Sequence, residues 1–299
     1  ETDGRHAVVT FGATIDEDLA RRDFTLNAIA YHPKTHRLHD PFDGQRDITR
    51  RVIRAVGEPR ERMREDRLRA LRAIRFAARF GFDIGPDTWR AIVESAPHLG
   101  RLSAERVKQE LEKTMEQVEK PGRALELWRD SGALRALLPP IEGISPVTLR
   151  TLDQLPRATG KRGSQRKMLR VVALFSELSP REAEKTARKL RFSNQQIAWI
   201  RAVVEHAKRV QNEIAEVDTA GRSVSPTQMR KWIAGAGRTR IASVMRLVAS
   251  RFAAQRELGD AAPAAEVMSA LYRRVLRSAF HEPVELSDLA VSGDELRVA

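Results

Sequence analysis

The sequence predicts an α+β protein that is mainly α, with a few strands confined to residues 1–57 and helices from there to the end. Three observations carry this prediction. Strand-like runs occur only before Glu58. From Glu58 on, the apolar residues recur at helical spacing. Several later segments open on a Ser N-cap with Glu or Gln three residues on, and two of these have Pro at the first helical position.

Taken in order, AVVTF (7–11) reads as a short strand. Thr14 with Glu17 forms a capping box that opens a short helix at Asp16. RRDFTLNA (21–28) then packs two arginines, an acid, a threonine and an amide among apolar residues, and such groups need partners if buried. NAIAY and RLHDPF flank HPKTHR as a hairpin with a polar turn. ERMREDRLRALRAIRFAARF (61–80) is predicted as one amphipathic helix, with Met63, Leu68, Leu71, Ile74 and Ala78 on one arc. Glu65, Asp66, Arg69 and Arg72 fall opposite, and Phe76 and Phe80 project to that same side. That face is either an occupied cleft or a solvated surface with an i,i+4 Glu65–Arg69 pair. Ser179 and Ser225 precede Pro, with Glu182 and Gln228 as capping-box partners, and Ser193 pairs with Gln196 in the same way. RATGKRGSQRK (157–167) is the best internal linker candidate. Trp199 and Trp232 lie in apolar stripes and are expected in the core. The histidines are scattered, and His39-Asp40 reads as hairpin structure.

The 299 residues carry a net charge of +13 and a pI of about 10.7, which points to a polyanionic partner. Cysteine is absent, excluding disulfides and thiolate metal sites. No apolar run reaches the roughly 18 residues of a membrane span and no signal-peptide pattern opens the chain, so a cytoplasmic protein with no membrane partner is expected. Lys161, Arg162, Arg166, Lys167, Arg230 and Lys231, with Arg222, Arg238 and Arg240, offer a basic surface for RNA phosphates. DED (16–18) is a tempting carboxylate pair. A two-ion site needs acids converging on ions ~3.5–4 Å apart. Asp16 and Asp18 instead sit in a predicted first helical turn, where they point apart and suit the helix dipole.

Five segments occur in one order: DGRH (3–6), DLARRDFTLNA (18–28), DPFDGQRDITRRVIR (40–54), EDRLRALRAIRF (65–76) and SAERVKQELEK (103–113). In this order they closely resemble the class II tRNA nucleotidyltransferases, the family of bacterial CCA-adding enzymes and poly(A) polymerases. RRDFTLNA matches the family's RRDxxxN motif. Gly44, Asp47, Arg51 and Arg54 match the motif joining head to neck. Glu65, Asp66 and Arg69 match EDxxR, and Glu105, Arg106, Glu110 and Lys113 match ERxxxELxK. The resemblance covers roughly residues 1 to 115, and continues more loosely through KLRFSN (189–194) and ELSDLAVSGDEL (285–296).

It implies the C-terminal part of a nucleotidyltransferase head over 1–57, a helical neck over 58–142 that selects nucleotides and binds RNA, and a helical tRNA-binding body over 143–299. Arg22 would help neutralise the triphosphate, and Asp23 and Asn27 would fix the ribose. Asp66 would accept from the amino group of C or A and Arg69 would donate to the adjacent ring nitrogen. Glu65 would orient Arg69, and the flanking Arg62 and Arg72 would hold it too or contact RNA. The implied activity is Mg²⁺-dependent addition of CCA, or part of it, to tRNA 3′ ends from CTP and ATP. No DNA partner is expected. A poly(A) polymerase, or a helical RNA-binding protein without catalysis, are the alternatives. The family's Gly-Gly loop and DxD strand are not found, and their place in the family order is before DGRH. The expectation is therefore a fragment that is inactive alone and holds no metal ligands, with catalytic carboxylates upstream of Glu1 and further residues after the C-terminal motif.

Overall fold

The computed structural model describes residues 14–160 and 163–283. The AVVTF strand, DGRH, Lys161, Arg162 and ELSDLAVSGDEL lie outside the described residues. The first helix, α1 (Ile15–Ala20), opens from Thr14, whose hydroxyl accepts from the Glu17 amide while the Glu17 carboxylate accepts from the Thr14 amide. The expected hairpin follows as β1 (Ala30–His32) and β2 (Arg37–His39), antiparallel with Tyr31 opposite Leu38. His36 takes a positive φ of 54° in its turn.

The next segment organises the N-terminal region. α2 (Gly44–Arg50) is capped by Asp40, whose carboxylate accepts from the amides of Gly44 and Gln45 at 2.7 and 2.9 Å. β3 (Val52–Ile53) pairs in parallel with β4 (Asp83–Ile84). On its other side the same ribbon meets RRDFT: Phe24 bridges Ala55, the Thr25 amide donates to the Arg54 carbonyl at 2.9 Å, and the Val56 amide donates to Asp23. α3 (Pro59–Glu65) and α4 (Leu68–Phe80) form the crossover between β3 and β4.

Here the structure corrects the expectation of one helix over 61–80. Asp66 is extended (φ −144°, ψ 103°), and its carboxylate accepts from the Leu68 amide at 3.0 Å, satisfying a donor at the start of a new helix. A short-range acceptor at a helix start competes with continuation of the helix, and periodicity alone does not register the break. α4 is also buried on more than the predicted arc. Ala70, Leu71, Ala73, Ile74 and Ala77 are in the core, whereas Leu68 and Ala78 are only partly covered. Phe76 meets Phe24 edge-on at 5.9 Å and stacks on Phe80 at 5.9 Å.

Helices follow throughout: α5 (Pro86–Ser95), α6 (Ala104–Gln117), α7 (Pro121–Asp130), α8 (Ala133–Leu137), α9 (Pro146–Gln154) and α10 (Gly163–Leu174). Then come α11 (Pro180–Lys189), α12 (Asn194–Thr219), α13 (Pro226–Ala236), α14 (Arg238–Glu257) and α15 (Ala265–His281). Ser179 and Ser193 form the full capping boxes expected. Ser225 forms only half of one, because Gln228 spends its side-chain amide on Glu213 across the helix pair at 3.0 Å. The RATGKRGSQRK linker is partly helical, since α10 begins at Gly163 and Arg166 reaches back to the carbonyls of Arg157 and Thr159.

One apolar core runs from Phe24 to Ala279, with Leu19, Ala28 and Val56 in a small satellite. α14 is central to its C-terminal half, packing on α9, α12 and α15. Trp232 is buried with its indole N–H on Glu213 at 2.6 Å, and Trp199 packs partly buried against the core. Arg170 of α10 is fully buried and donates to the carbonyls of Met115, Val118, Glu119 and Leu155 at 2.8–3.2 Å. It satisfies carbonyls that the end of α6 cannot bond internally, and burial pulls its pKa down to about 10.

Candidate functional site

Two segments far apart in sequence meet where RRDFTLNA faces the α3–α4 break. Arg69 donates from Nη2 to the Arg21 carbonyl at 3.2 Å. Arg72 grips Asp23 Oδ2 through Nε and Nη2, at 2.8 and 2.6 Å. Asp23 is buried, while the Arg72 side chain remains about a third exposed. On its other oxygen, Asp23 accepts from the Phe24 amide and from Asn27 Nδ2, both at 2.9 Å. Four donors thus fill a carboxylate that has about four acceptor sites.

Arg22 is half exposed and bonds Asp18 through Nη2 at 2.7 Å; Arg21 is on the other oxygen of that acid. Arg22 first, then Arg21, hold the Asp18 carboxyl below its ordinary pKa. Asp16 pairs instead with His39 of the hairpin. The two acids of DED therefore turn to different partners. Among the described residues no group of three or more His, Cys, Asp or Glu could hold a metal ion.

At the break, Glu65 accepts from both Arg69 (2.7 Å) and Arg62 (3.0 Å), as the i,i+4 and i,i+3 spacings allow. Arg69 Nη1 also donates to the Arg62 carbonyl, and its side chain is 14% exposed. Asp66 turns toward α6, where Arg106 Nη2 meets its two oxygens at 3.0 and 2.8 Å. The expectation that Asp66 and Arg69 share one helix face is thus corrected: Asp66 lies in the extended break and faces α6, whereas Arg69 lies on α4 and faces α3 and Arg21. Arg72 likewise does not support Glu65 or Arg69; it belongs to Asp23.

The remaining motif residues form braces. Asp47 is buried and accepts from Thr25 Oγ1 at 2.6 Å and Arg54 Nε at 2.9 Å. Gly44 sits so close to the Thr25 carbonyl that a Cβ would lie 2.3 Å from that oxygen. Arg75 and Glu110, both buried, pair at 2.5 Å, and Arg75 also reaches Gln117. Sequence reasoning did not assign Arg106 and Glu110 their partners. The signal was their i,i+4 spacing, which sets both on one face of α6 toward α4 and the break.

The expected basic surface is partly engaged. Arg166 is half-buried on its carbonyls and Lys167 is 3.7 Å from Glu116. Arg230 lies 4.0 Å from Glu282 and is exposed, as is Lys231 beside it.

Residues 1–54 match the model of the poly A polymerase head domain, and residues 81–144 that of the probable RNA and SrmB-binding site of polymerase A. The CCA-adding enzyme of Geobacillus stearothermophilus is 47% identical over 135 residues, 45% of this chain and 33% of that protein. That of Leuconostoc mesenteroides is 49% identical over 107 residues, 36% of this chain and 26% of that protein. A crystal structure of the Bacillus stearothermophilus CCA-adding enzyme in complex with CTP superposes with a TM-score of 0.69 at 30% identity, covering 96% of this chain and 65% of that one. The Thermotoga maritima CCA-adding enzyme complexed with tRNA shares the fold, with a TM-score of 0.63 at 22% identity, covering 96% of this chain and 65% of that one. The matched stretch spans about a third of the first of these curated relatives. The resemblance to CCA-adding enzymes and poly(A) polymerases, and the mainly α architecture with few strands, are borne out.

Proposed function

We propose that this chain selects nucleotides and holds RNA for a template-independent nucleotidyltransferase that adds CCA, or part of it, to tRNA 3′ ends from CTP and ATP. The RNA 3′-hydroxyl would attack the α-phosphate and release pyrophosphate. The observation that carries the reading is the contact of two motifs 48 residues apart, through Arg69 on the Arg21 carbonyl and Arg72 on Asp23. It supports the reading in which Arg69 and the sugar-side residues of the resemblance serve one nucleotide. On this reading residues 1–57, 58–142 and 143–299 act as the end of the head, the neck and the body.

The chemistry of the pair fits C and A. Asp66 Oδ2 accepts only from Arg106, so it keeps an acceptor site for a base amino group. Arg69 Nε and the second Nη2 proton have no partner among the described residues and can donate to a ring nitrogen. Guanine and uracil present a carbonyl and an N–H at those positions, leaving both protein groups unpaired. Arg22 would exchange Asp18 for the triphosphate. Lys161, Arg162, Arg166, Lys167, Arg230 and Lys231 would meet RNA phosphates.

The resemblance implies Mg²⁺, but the acids described do not fit an ion pair, because Asp16 and Asp18 diverge to His39 and to Arg21 and Arg22. No helix among the described residues is long and apolar enough to cross a membrane, and a cytoplasmic site of action suits tRNA as substrate.

Titration of the 299-residue chain with the four nucleoside triphosphates and with tRNA tests the reading. CTP and ATP are expected to bind about tenfold tighter than UTP and GTP, since a good bidentate base contact discriminates by ~1–3 kcal/mol. Arg69→Ala is expected to erase that gap, and tRNA affinity to fall steeply with salt. Preference for ATP alone supports the poly(A) polymerase, and RNA binding without nucleotide selectivity supports the non-catalytic RNA-binding protein.

A further inference from the structure

We infer that α3 carries a second anion site on the flank turned away from Arg62 and Glu65. It is a phosphate-binding cleft formed by Arg60, Arg64 and Arg67 with Ser95 and His98. The cleft is separate from the site described above and does not depend on the function proposed for it. None of these five residues holds a position that the motifs specify.

Helix phase places the cleft. α3 and α5 pack side by side, and Arg60 reaches across to Glu94 at 2.7 Å. At about 100° per residue, Arg60 and Arg64 fall about 40° apart on α3, and both stand about 160° round from Arg62. Arg62 and Glu65 therefore serve Arg69, while Arg60 and Arg64 face α5. Between the two helices lies a cavity of about 140 Å³. Buried Met63 and Ala91 give it an apolar back.

The donors around this space are largely unspent. The side chains of Arg64 and His98 have no hydrogen bond or ion pair among the described residues. Arg60 spends Nη2 on Glu94, which leaves Nε and Nη1. The Arg67 side chain reaches only Ser95 Oγ, at 3.4 Å. Ser95 is 4% exposed, and its hydroxyl proton meets no acceptor among the described residues. A buried donor of this kind is costly unless something accepts from it. Glu94, the acid among the lining residues, is already neutralised by Arg60.

The donor set selects the ligand. Guanidinium forks match phosphate oxygens in pairs. A carboxylate offers two oxygens, whereas a phosphate offers at least three strong acceptors and more charge, enough for the three arginines and Ser95 together. Arg60 also lines a neighbouring cavity of about 550 Å³ with Arg54 and Arg90, so basic side chains continue along the α3–α5 seam. The phosphate can therefore be a free ion or one of a run along an RNA strand, and its chemistry in the cleft is the same.

The test follows the ring signals of His98 in the 299-residue chain, assigned with His98→Gln, at fixed pH. Inorganic phosphate is expected to shift them saturably, and sodium chloride of equal ionic strength is not. Arg64→Gln combined with Arg67→Gln should weaken phosphate about tenfold or more, since each removes charge-assisted bonds. Ser95→Ala should weaken it several-fold and decides by the same signal if the double variant is unstable. Arg129→Gln with Arg135→Gln removes the same charge elsewhere and should leave phosphate affinity unchanged. The source is read from tRNA binding. If RNA supplies the phosphate, the double variant lowers the slope of log affinity against log salt by about one to two. An unchanged slope with lost phosphate binding assigns the cleft to the free ion, and either result upholds the site. No saturable shift in the wild type, an undiminished affinity in the folded variants, or an equal loss in the charge control overturns it. A CTP-to-UTP preference that collapses together with phosphate binding would show a single shared site and overturn it as well.

Discussion

The segment up to Val118 and the helices beyond it are held together by different physics. Of the five buried charged side chains among the described residues, Asp23, Asp47, Arg75 and Glu110 lie in the first region and only Arg170 in the second. In the first region the elements are braced by side-chain pairs: Asp23–Arg72, Asp47–Arg54, Asp66–Arg106 and Arg75–Glu110. In the second, long helices such as α12 and α14 bury aliphatic stripes against each other. The difference bears on how each region tolerates substitution. A charge brace accepts few alternatives, because removing one partner leaves the other buried and unpaired. An aliphatic interface accepts many combinations of similar volume. Both matching family models fall within residues 1–144, whereas the structural match at 30% identity extends over 96% of the chain.

The sharpest way to break this contrast is Arg75→Leu. Glu110 would keep its buried charge without a partner, and the expected loss is about 3–5 kcal/mol, read as a lower denaturation midpoint. Replacing both Arg75 and Glu110 by apolar residues of similar size should recover much of it. If the single substitution is nearly neutral, the brace picture fails. Gly44→Ala probes the same region through its backbone. The new methyl would crowd the Thr25 carbonyl and the Ile29 side chain, and overpacking of this kind costs about 1–3 kcal/mol. Because the obstruction includes main chain, relaxation is confined to shifting α2 against RRDFTLNA.

The smallest effect is expected in the second region and depends on pH. Burial would raise the Glu177 pKa, but hydrogen bonds from Ser145 and Thr148 and the nearby Arg251 outweigh it and hold the group below its ordinary 4.5. A depressed carboxylate contributes stability that is present above its unfolded pKa and lost as pH falls through the folded one. The melting temperature should therefore drop on acidification below about pH 4.5, and Glu177→Gln should flatten part of that slope. An identical acid limb in the variant would show that Glu177 is not linked to folding.

Much of this was readable in the sequence, for local reasons. The hairpin around HPKTHR and the capping boxes at Thr14, Ser179 and Ser193 depend on residues within a few positions of each other. What escaped involves a competing partner. Asp66 caps a new helix and so splits the predicted one, although the apolar spacing runs through the break with little change of phase. Gln228 leaves its box for Glu213, a residue of the neighbouring helix. Within the site, the motif residues were identified by type but their pairings were not. Nothing local to Arg72 says that it belongs to Asp23, 49 positions away, and nothing local to Arg170 says that it will bond four carbonyls.

The ribbon at Arg51–Val56 ties RRDFT on one edge and Asp83–Gly85 on the other. Both ends of the α3–α4 crossover are therefore anchored to the same strip of backbone that anchors Asp23. The ribbon acts as a common datum from which sugar-side and base-side residues are both measured. For Asp66 the offset is then a matter of chain arithmetic: the number of residues in α3, wound at about 1.5 Å and 100° per residue, sets how far and at what angle the chain enters the extended break, whereas Arg69 on α4 is held by Arg72 on Asp23. Substitutions that preserve the count leave this gauge unaltered, whereas one residue added or removed in α3 turns the end of that helix, and Asp66 with it, by about 100° about the α3 axis. In that sense the spacing between the two motifs carries information of the same kind as the motifs themselves.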